Sequence, residues 1–394
     1  MVGRGERGAR AALREGASSR TAPDLRALGG RFEIEGSFVA GEPHGSGHIH
    51  DTFAATWNDV GRRVRFVHQR LNTHVFRDPQ GVMQNLERVT DHVRASLARE
   101  GVRELERRCL ALVPTREGRS FYSDDEGRVW RTFRFIEGAR THDTPESPAV
   151  AFEAARAFAD FVARLADLDP RELAVTIPRF HDLAKRFADL ESARRSDATG
   201  RAAAVGCELD AASRDFERLA RELEREGALA LPRRAVHNDC KINNVMLDAA
   251  TGEAVCVIDL DTVMEGTVLF DFGDLVRTAA CPSAEDAVDL AAMRFDLGLF
   301  EALARGTLAG GAGFLTEAEI LALPLAGRLL ALENAIRFLT DHLEGDRYFR
   351  IHREGHNLDR ARAQLRLVEL MGEAADATRR IVAQAAREAP RSAR

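Results

Sequence analysis

His237, Asn238, Asp239, Lys241, Asn243 and Asn244 crowd the start of the stretch "HNDCKINNVMLDAATGEAVCVIDLDTV", and Asp259 and Asp261 close an apolar run that begins at Ala254. A strand that only packs has no use for so many carboxylates and amides at its ends. Between the loop and the acids, "NVMLD" and "EAVCVID" read as two short apolar strands around a turn containing Asp248 and Gly252, which is a hairpin. A hairpin brings its outer ends together, so Asp239 and Asn244 should lie beside Asp259 and Asp261. Carboxylates and an amide oxygen converging in this way are hard oxygen donors of the kind Mg²⁺ accepts, with positions left for water and for substrate phosphates.

Lys241 gains weight from composition. The chain has 56 basic residues, of which Lys185 and Lys241 are the two lysines, so arginine fills nearly every generic cationic position. A compact ammonium inside the polar loop therefore points to a task that a guanidinium fork would do poorly. The five cysteines, Cys109, Cys207, Cys240, Cys256 and Cys281, are odd in number and lack CxxC spacing, which supports neither a disulfide framework nor a zinc site. A net charge of -6 argues against a general nucleic-acid binder. No apolar run is long enough to span a bilayer and the Arg-rich start lacks a signal-peptide core, so the expected setting is the cytoplasm, away from membranes.

The elements that must position these residues fall into two parts. Residues 1–28 and 377–394 are expected as tails, the second able to continue a helix. From 29 to 137 the sequence predicts a small mixed lobe. Three antiparallel strands lie in "FEIEGSFVA", "DTFAATWN" and "RRVRFVHQRL", a helix starts at Pro79, and two more strands follow, flanking an acidic turn in "SFYSDDEGRVWRTFRFIEG". From 138 to 376 the pattern is mainly helical. Ser147 is the N-cap and Pro148 the first residue of one helix, and further helical periods cover about 182–195, 203–226, 284–306, 317–343 and 358–376. In this half the strand-like pieces are Ala228 to Val236, Asn244 to Leu247 and Ala254 to Leu260. The fold class is thus α+β with two lobes.

"HNDCKINN" resembles the catalytic loop H-x-D-x-x-x-x-N of the aminoglycoside phosphotransferase and choline kinase superfamily, relatives of the protein kinases, and "VIDLD" resembles its metal-binding strand end. Together with "GSGHIHDTF", "QRLNTHVF", "DFGDLVR" and "RFLTDHLEGDRYF", the sequence is similar to the N-acetylhexosamine 1-kinases over about residues 35–375. The resemblance implies a bilobal protein-kinase-like fold that transfers the γ-phosphate of ATP, with Mg²⁺, to the anomeric hydroxyl of a sugar such as GlcNAc or GalNAc. It makes Asp239 the proton acceptor, Asn244 and Asp259 the Mg²⁺ ligands, and Lys241 a partner of the transferred phosphate. The "DFGD" of residues 271–274 spells a protein-kinase metal motif, but Asp259 already supplies that carboxylate, so Asp271 and Asp274 are expected to be structural.

In the small lobe the resemblance assigns nucleotide binding to the turn with Gly45 and Gly47, whose backbone N–H groups can approach phosphates. The lobe has no lysine, so Arg70 is the phosphate-facing cation in place of the usual third-strand lysine, with Glu87 as its helical partner. His50 stands where the sugar kinases carry asparagine. Thr262, Arg337 and Tyr348, with Asp239, are the residues implied for sugar binding. Two other readings of the residues remain open. One is a kinase for an aminoglycoside, choline or another small alcohol, and the other is a nucleotide-binding interaction protein without turnover. A monomer acting on a small molecule is the expected form.

Overall fold

The computed structural model describes residues 23–45 and 49–389, so Gly47 and most of the first expected tail lie outside the described residues. The chain divides into two compact units. One comprises the described residues through Leu71 with Leu112–Phe135, the other Asn72–Ala111 with the chain from Ile136 onward.

The first unit contains α1 (Leu25–Gly29), β1 (Ser37–Pro43), β2 (Asp51–Asp59), β3 (Arg62–Arg70), β4 (Tyr122–Ser123) and β5 (Val129–Arg134). The strands form an antiparallel sheet in the order β1-β2-β3-β5-β4. Period-two alternation puts Ala55, Trp57, Phe66 and Trp130 into a core that Phe32 and Ile34 complete. The acidic turn owes its shape to Asp124, whose carboxylate accepts from the backbone N–H of Glu126 and Arg128 and from Trp130 Nε1. α1 falls where a tail was expected. Asp24 caps it by accepting from Arg26 and Ala27, and Leu25 and Leu28 are buried in the sheet's core.

The second unit begins with α2 (Pro79–Arg99) and α3 (Leu105–Arg108), then β6 (Ala139–Arg140), α4 (Pro148–Arg164), α5 (Leu183–Ser196) and α6 (Gly206–Arg225). Four short strands follow, β7 (Arg234–Val236), β8 (Val245–Asp248), β9 (Ala254–Val257) and β10 (Met264–Gly266). Five helices complete it, α7 (Val268–Ala279), α8 (Leu297–Gly310), α9 (Glu317–Glu344), α10 (His356–Glu373) and α11 (Ala375–Glu388). α4 starts as expected, with Ser147 Oγ accepting from Val150 and Pro148 in the first turn. α9 opens on a reciprocal capping box between Thr316 and Glu319 and is buried on nearly every face, the mark of a central helix. It packs against α5, α7 and α10.

Four readings of the sequence change here. α2, expected within the small lobe, belongs to the second unit, where it packs on α3, α4 and the Leu260–Thr262 turn. The cause is Asn85, a buried amide that donates to the carbonyls of Ala174 and Val263 and accepts from Ala174 N–H. The segment 268–279, with "DFGD" at its middle, is helical. Gly273 permits this, because a Cβ there would lie 2.3 Å from the Ala326 carbonyl oxygen, so α7 and α9 touch backbone to backbone. α11 occupies most of the second expected tail, burying Thr378, Val382 and Ala385 against the helices. The helix expected from about 284 begins instead at Leu297, capped by Asp296.

Candidate functional site

β8 and β9 pair with Val245 opposite Val257, and the ladder is continued by Ile258 N–H donating to the Asn244 carbonyl at 2.9 Å. This is the hairpin expected from sequence, and its outer ends do meet. His237 Nε2 lies 3.0 Å from the Ile258 carbonyl, and Thr262 Oγ1 donates to the His237 carbonyl at 2.8 Å. Asn238 adopts φ +64 and its buried amide donates to the Thr262 carbonyl at 3.0 Å. β7 pairs with β10, Val236 opposite Met264, so the loop after β7 and the turn after β9 are tied at both ends.

Within this frame Asp239 Oδ1 is 2.7 Å from Lys241 Nζ, and Asn244 Nδ2 donates to the Asp239 carbonyl at 2.9 Å and to its Oδ2 at 3.3 Å. Burial disfavours the Asp239 charge, but the Lys241 ammonium outweighs it and holds the carboxyl below the usual carboxylate range. Burial likewise disfavours the Lys241 charge, and Asp239 followed by Asp274 more than restores it, so the ammonium persists at any physiological pH. The Cys240 thiol is fully buried, and burial with the neighbouring Asp271 and Asp274 pushes its pKa well up, which leaves no thiolate to act as nucleophile.

Asp259 sits in the left-handed region with φ +60, which an aspartate tolerates better than most residues. Asp259 and Asp261 each offer a carboxylate oxygen within 4.8 Å of the other's. Asn244 has spent its amide nitrogen on Asp239, so its oxygen is the atom able to ligate. Carboxylate and amide oxygens of this kind are donors that fit Mg²⁺. Asp271 is placed differently. Its two oxygens accept the backbone N–H groups of His237 (2.9 Å) and Asn238 (2.7 Å), so this buried carboxylate holds the loop from behind, and burial raises its pKa. Asp274 is paired at 2.8 Å with Arg277, which also reaches Glu285.

Of the residues assigned to the acceptor, Thr262 lies inside the frame with its hydroxyl proton committed to His237. Arg337, on α9, has its guanidinium 5.5 Å from the Phe180 ring and 5.3 Å from the Phe349 ring. Tyr348 is 64% exposed and meets Phe349 edge to face. Their loop is shaped by Asp341, a buried carboxylate that accepts the N–H groups of Arg347, Tyr348 and Phe349 and the Asn357 amide. In the first unit, Gly45 has φ +81, a conformation suited to glycine in the turn after β1. Arg70 is directly opposite Asp51 across β2 and β3 and forms an ion pair with it. Glu87, proposed as Arg70's partner, lies on α2 in the second unit.

A residue that sequence reasoning passed over joins the acceptor residues to the loop. His181 Nε2 is 2.8 Å from the Asn238 carbonyl and its Nδ1 is 3.1 Å from Glu333 Oε1 on α9. The Asn238 carbonyl requires a proton on Nε2, and an ionised Glu333 favours a second proton on Nδ1, which is the imidazolium form. Burial opposes that charge, but Glu333 outweighs it and the His181 pKa is raised above 6.5. Such a group adds stability that is fully present below about pH 6.5 and is lost as pH rises through the raised value. The stability difference between wild type and His181→Gln, from urea midpoints, should therefore shrink steadily from pH 6 to pH 9. A pH-independent difference would show that folding does not raise the His181 pKa.

The phosphotransferase enzyme family model (APH) matches residues 40–308, more than half of the chain and the whole of the hairpin and its loop. The chain belongs to the APH phosphotransferase family. Solved structures similar to it include an aminoglycoside phosphotransferase from Alicyclobacillus acidocaldarius, 13% identical over 95% of this chain and 99% of that one, with a TM-score of 0.61. A choline kinase from Cryptosporidium parvum is 12% identical over 91% and 98%, with a TM-score of 0.55. A spectinomycin phosphotransferase in complex with ADP and spectinomycin is 13% identical over 92% and 99%, with a TM-score of 0.52. At these identities the likeness establishes the fold, an antiparallel sheet in the N-terminal part and a mainly helical C-terminal part. APH membership makes the protein a kinase-like phosphotransferase. Among the described residues, no helix is long and apolar enough to cross a membrane.

Proposed function

We propose that this APH protein transfers the γ-phosphate of ATP to the anomeric hydroxyl of an N-acetylhexosamine, giving the sugar 1-phosphate. The observation that carries the reading is the Asp239 carboxylate, held 2.7 Å from Lys241 and beside the Asn244 amide at the base of the hairpin. Asp239 accepts the proton of the attacking hydroxyl, and Lys241 meets the transferred phosphoryl group. Asn244 and Asp259, with Asp261 beside them, would hold Mg²⁺, which would supply neutralisation of charge on the phosphates. A hemiacetal hydroxyl is more acidic than a simple alcohol, so a carboxylate with a depressed pKa suffices as its base. Gly45, Arg70 and Glu87 are assigned to the nucleotide in the same proposal, and Thr262, Arg337 and Tyr348 to the sugar.

The deciding experiment measures magnesium-dependent ADP release with free hexosamines, amino-alcohols and aminoglycosides, followed by phosphorus NMR of the product. GlcNAc or GalNAc should give an anomeric phosphate, and a 1-O-methyl glycoside should not react. An ester at another hydroxyl, or a preference for choline or kanamycin over every free hexosamine, refutes the proposed acceptor. Arg337→Ala should raise KM for the sugar far more than for ATP. Losing one charged hydrogen-bond partner costs about 1.5 to 3 kcal/mol, or roughly tenfold to a hundredfold in kcat/KM.

A further inference from the structure

Arg186 on α5 and Arg337 on α9 both lean on Phe180. Arg186 Nη2 donates to the Phe180 carbonyl at 3.0 Å, and the Arg337 guanidinium lies over the Phe180 ring. Both are half-buried, and neither is in an ion pair among the described residues. The other hydrogen bond of the two is a long one from Arg337 Nη1 to Asn334 Oδ1, at 3.4 Å. Arg186 Nε is buried with no hydrogen-bond partner at all. The carboxylates that lie nearest are already engaged: Glu333 faces His181, Asp189 faces Lys185, and Asp182 takes Arg179 and the Lys185 N–H. Burial, and then the repulsion of Arg337, lowers the pKa of Arg186. Two partly desolvated like charges held together are costly unless an anion completes the set.

The position of the pair makes the missing anion part of an acceptor. The Phe180 and His181 rings lie 4.3 Å apart, tilted by 34°, and His181 reaches the carbonyl of Asn238, the residue before Asp239. The guanidiniums are therefore linked through Phe180 and then His181 to the loop that carries the proposed base. Phe349 and the exposed Tyr348 flank them. We propose that the acceptor carries an anionic substituent, a carboxylate or a phosphate, seated between Arg186 and Arg337, so that the hexosamine phosphorylated by this protein is an acidic one. The inference rests on the sugar 1-kinase reading and narrows its substrate class. Arg186 is then a specificity-determining contact, for which a bidentate guanidinium is well shaped.

The test compares four acceptors on the wild-type enzyme: a neutral N-acetylhexosamine, the same sugar with a carboxylate as a uronic acid or carboxyalkyl ether, its 6-phosphate, and the free-amine sugar. At least one anionic form should exceed the neutral sugar in kcat/KM by about tenfold to a hundredfold, the range expected for one charged hydrogen-bond partner, and the amine should be the poorest. The relative rates of the carboxylate and the 6-phosphate identify which anion fits. In Arg186→Gln the ratio of anionic to neutral kcat/KM should fall towards one, and Arg186→Lys should recover part of it. Anomeric phosphorylation of the neutral sugar with no advantage for either anion overturns the anionic seat and leaves the sugar 1-kinase reading intact. Turnover confined to amino-alcohols or aminoglycosides overturns both.

Discussion

Asp239→Asn is expected to lower kcat by about a hundredfold or more while magnesium binding is retained, because general-base assistance contributes on the order of 10² to 10⁴ in rate. The substitution keeps the side chain's shape and leaves an oxygen for Lys241, now 2.7 Å from Oδ1. What it removes is basicity. The amide would also turn an N–H₂ towards either Lys241 or the Asn244 amide, both donors, so a small rise in KM for ATP should accompany the fall in kcat. The measurement is ADP release at saturating ATP over a range of Mg²⁺, with the thermal midpoint as a control for folding. Turnover within a few-fold of wild type would remove Asp239 from the role of proton acceptor.

The second large effect separates two aspartates whose sequence contexts each suggest a metal. Asp259→Ala should abolish magnesium-dependent turnover, and excess Mg²⁺ should not restore it. Asp271→Asn should act chiefly on stability. Both Asp271 oxygens accept backbone N–H groups, from His237 and Asn238, and an asparagine leaves one of those buried donors facing an N–H₂ group. An unsatisfied buried donor costs about 1 to 3 kcal/mol, which urea denaturation would report. A selective rise in magnesium requirement for Asp271→Asn, with Asp259→Ala still active, would reverse the two assignments.

The hairpin, the polar loop and the cap of α4 were legible because each is local. Strand alternation, a turn residue and an N-cap declare themselves within a few positions. The ion pair of Arg70 with Asp51 was within reach too, since the register of a tight hairpin puts the two residues opposite each other. α1 could have been found from Asp24 and the spacing of Leu25 and Leu28, although a segment rich in Arg, Gly and Ala hides so short a signal. Other features depend on partners far along the chain. The apolar period of α2 says which face is buried but not against which unit, and Asn85 decides that through Ala174, 89 residues away. His181 and Glu333 are 152 residues apart and neither belongs to a motif. α7 was obscured because two aspartates and a glycine argue against a helix locally. Its neighbours reverse the argument, with Asp271 binding the loop's backbone and Gly273 admitting the backbone of α9.

The scarcity of lysine has a practical consequence for chemical labelling. Side-chain amines occur in this chain only at Lys185 and Lys241, with side-chain exposures of 36% and 39%, and each is paired to an aspartate. An amine-selective acylating reagent acts on the neutral amine, and since Asp239 and Asp274 hold Lys241 as an ammonium, this target inside the proposed phosphoryl site reacts only at strongly alkaline pH. Protection of the Lys241 peptide by ATP and Mg²⁺, with Lys185 as the internal standard, would give a mass-spectrometric readout of site occupancy that needs no engineered probe. The same arithmetic leaves amine coupling for immobilisation with Lys185 as its main side-chain handle.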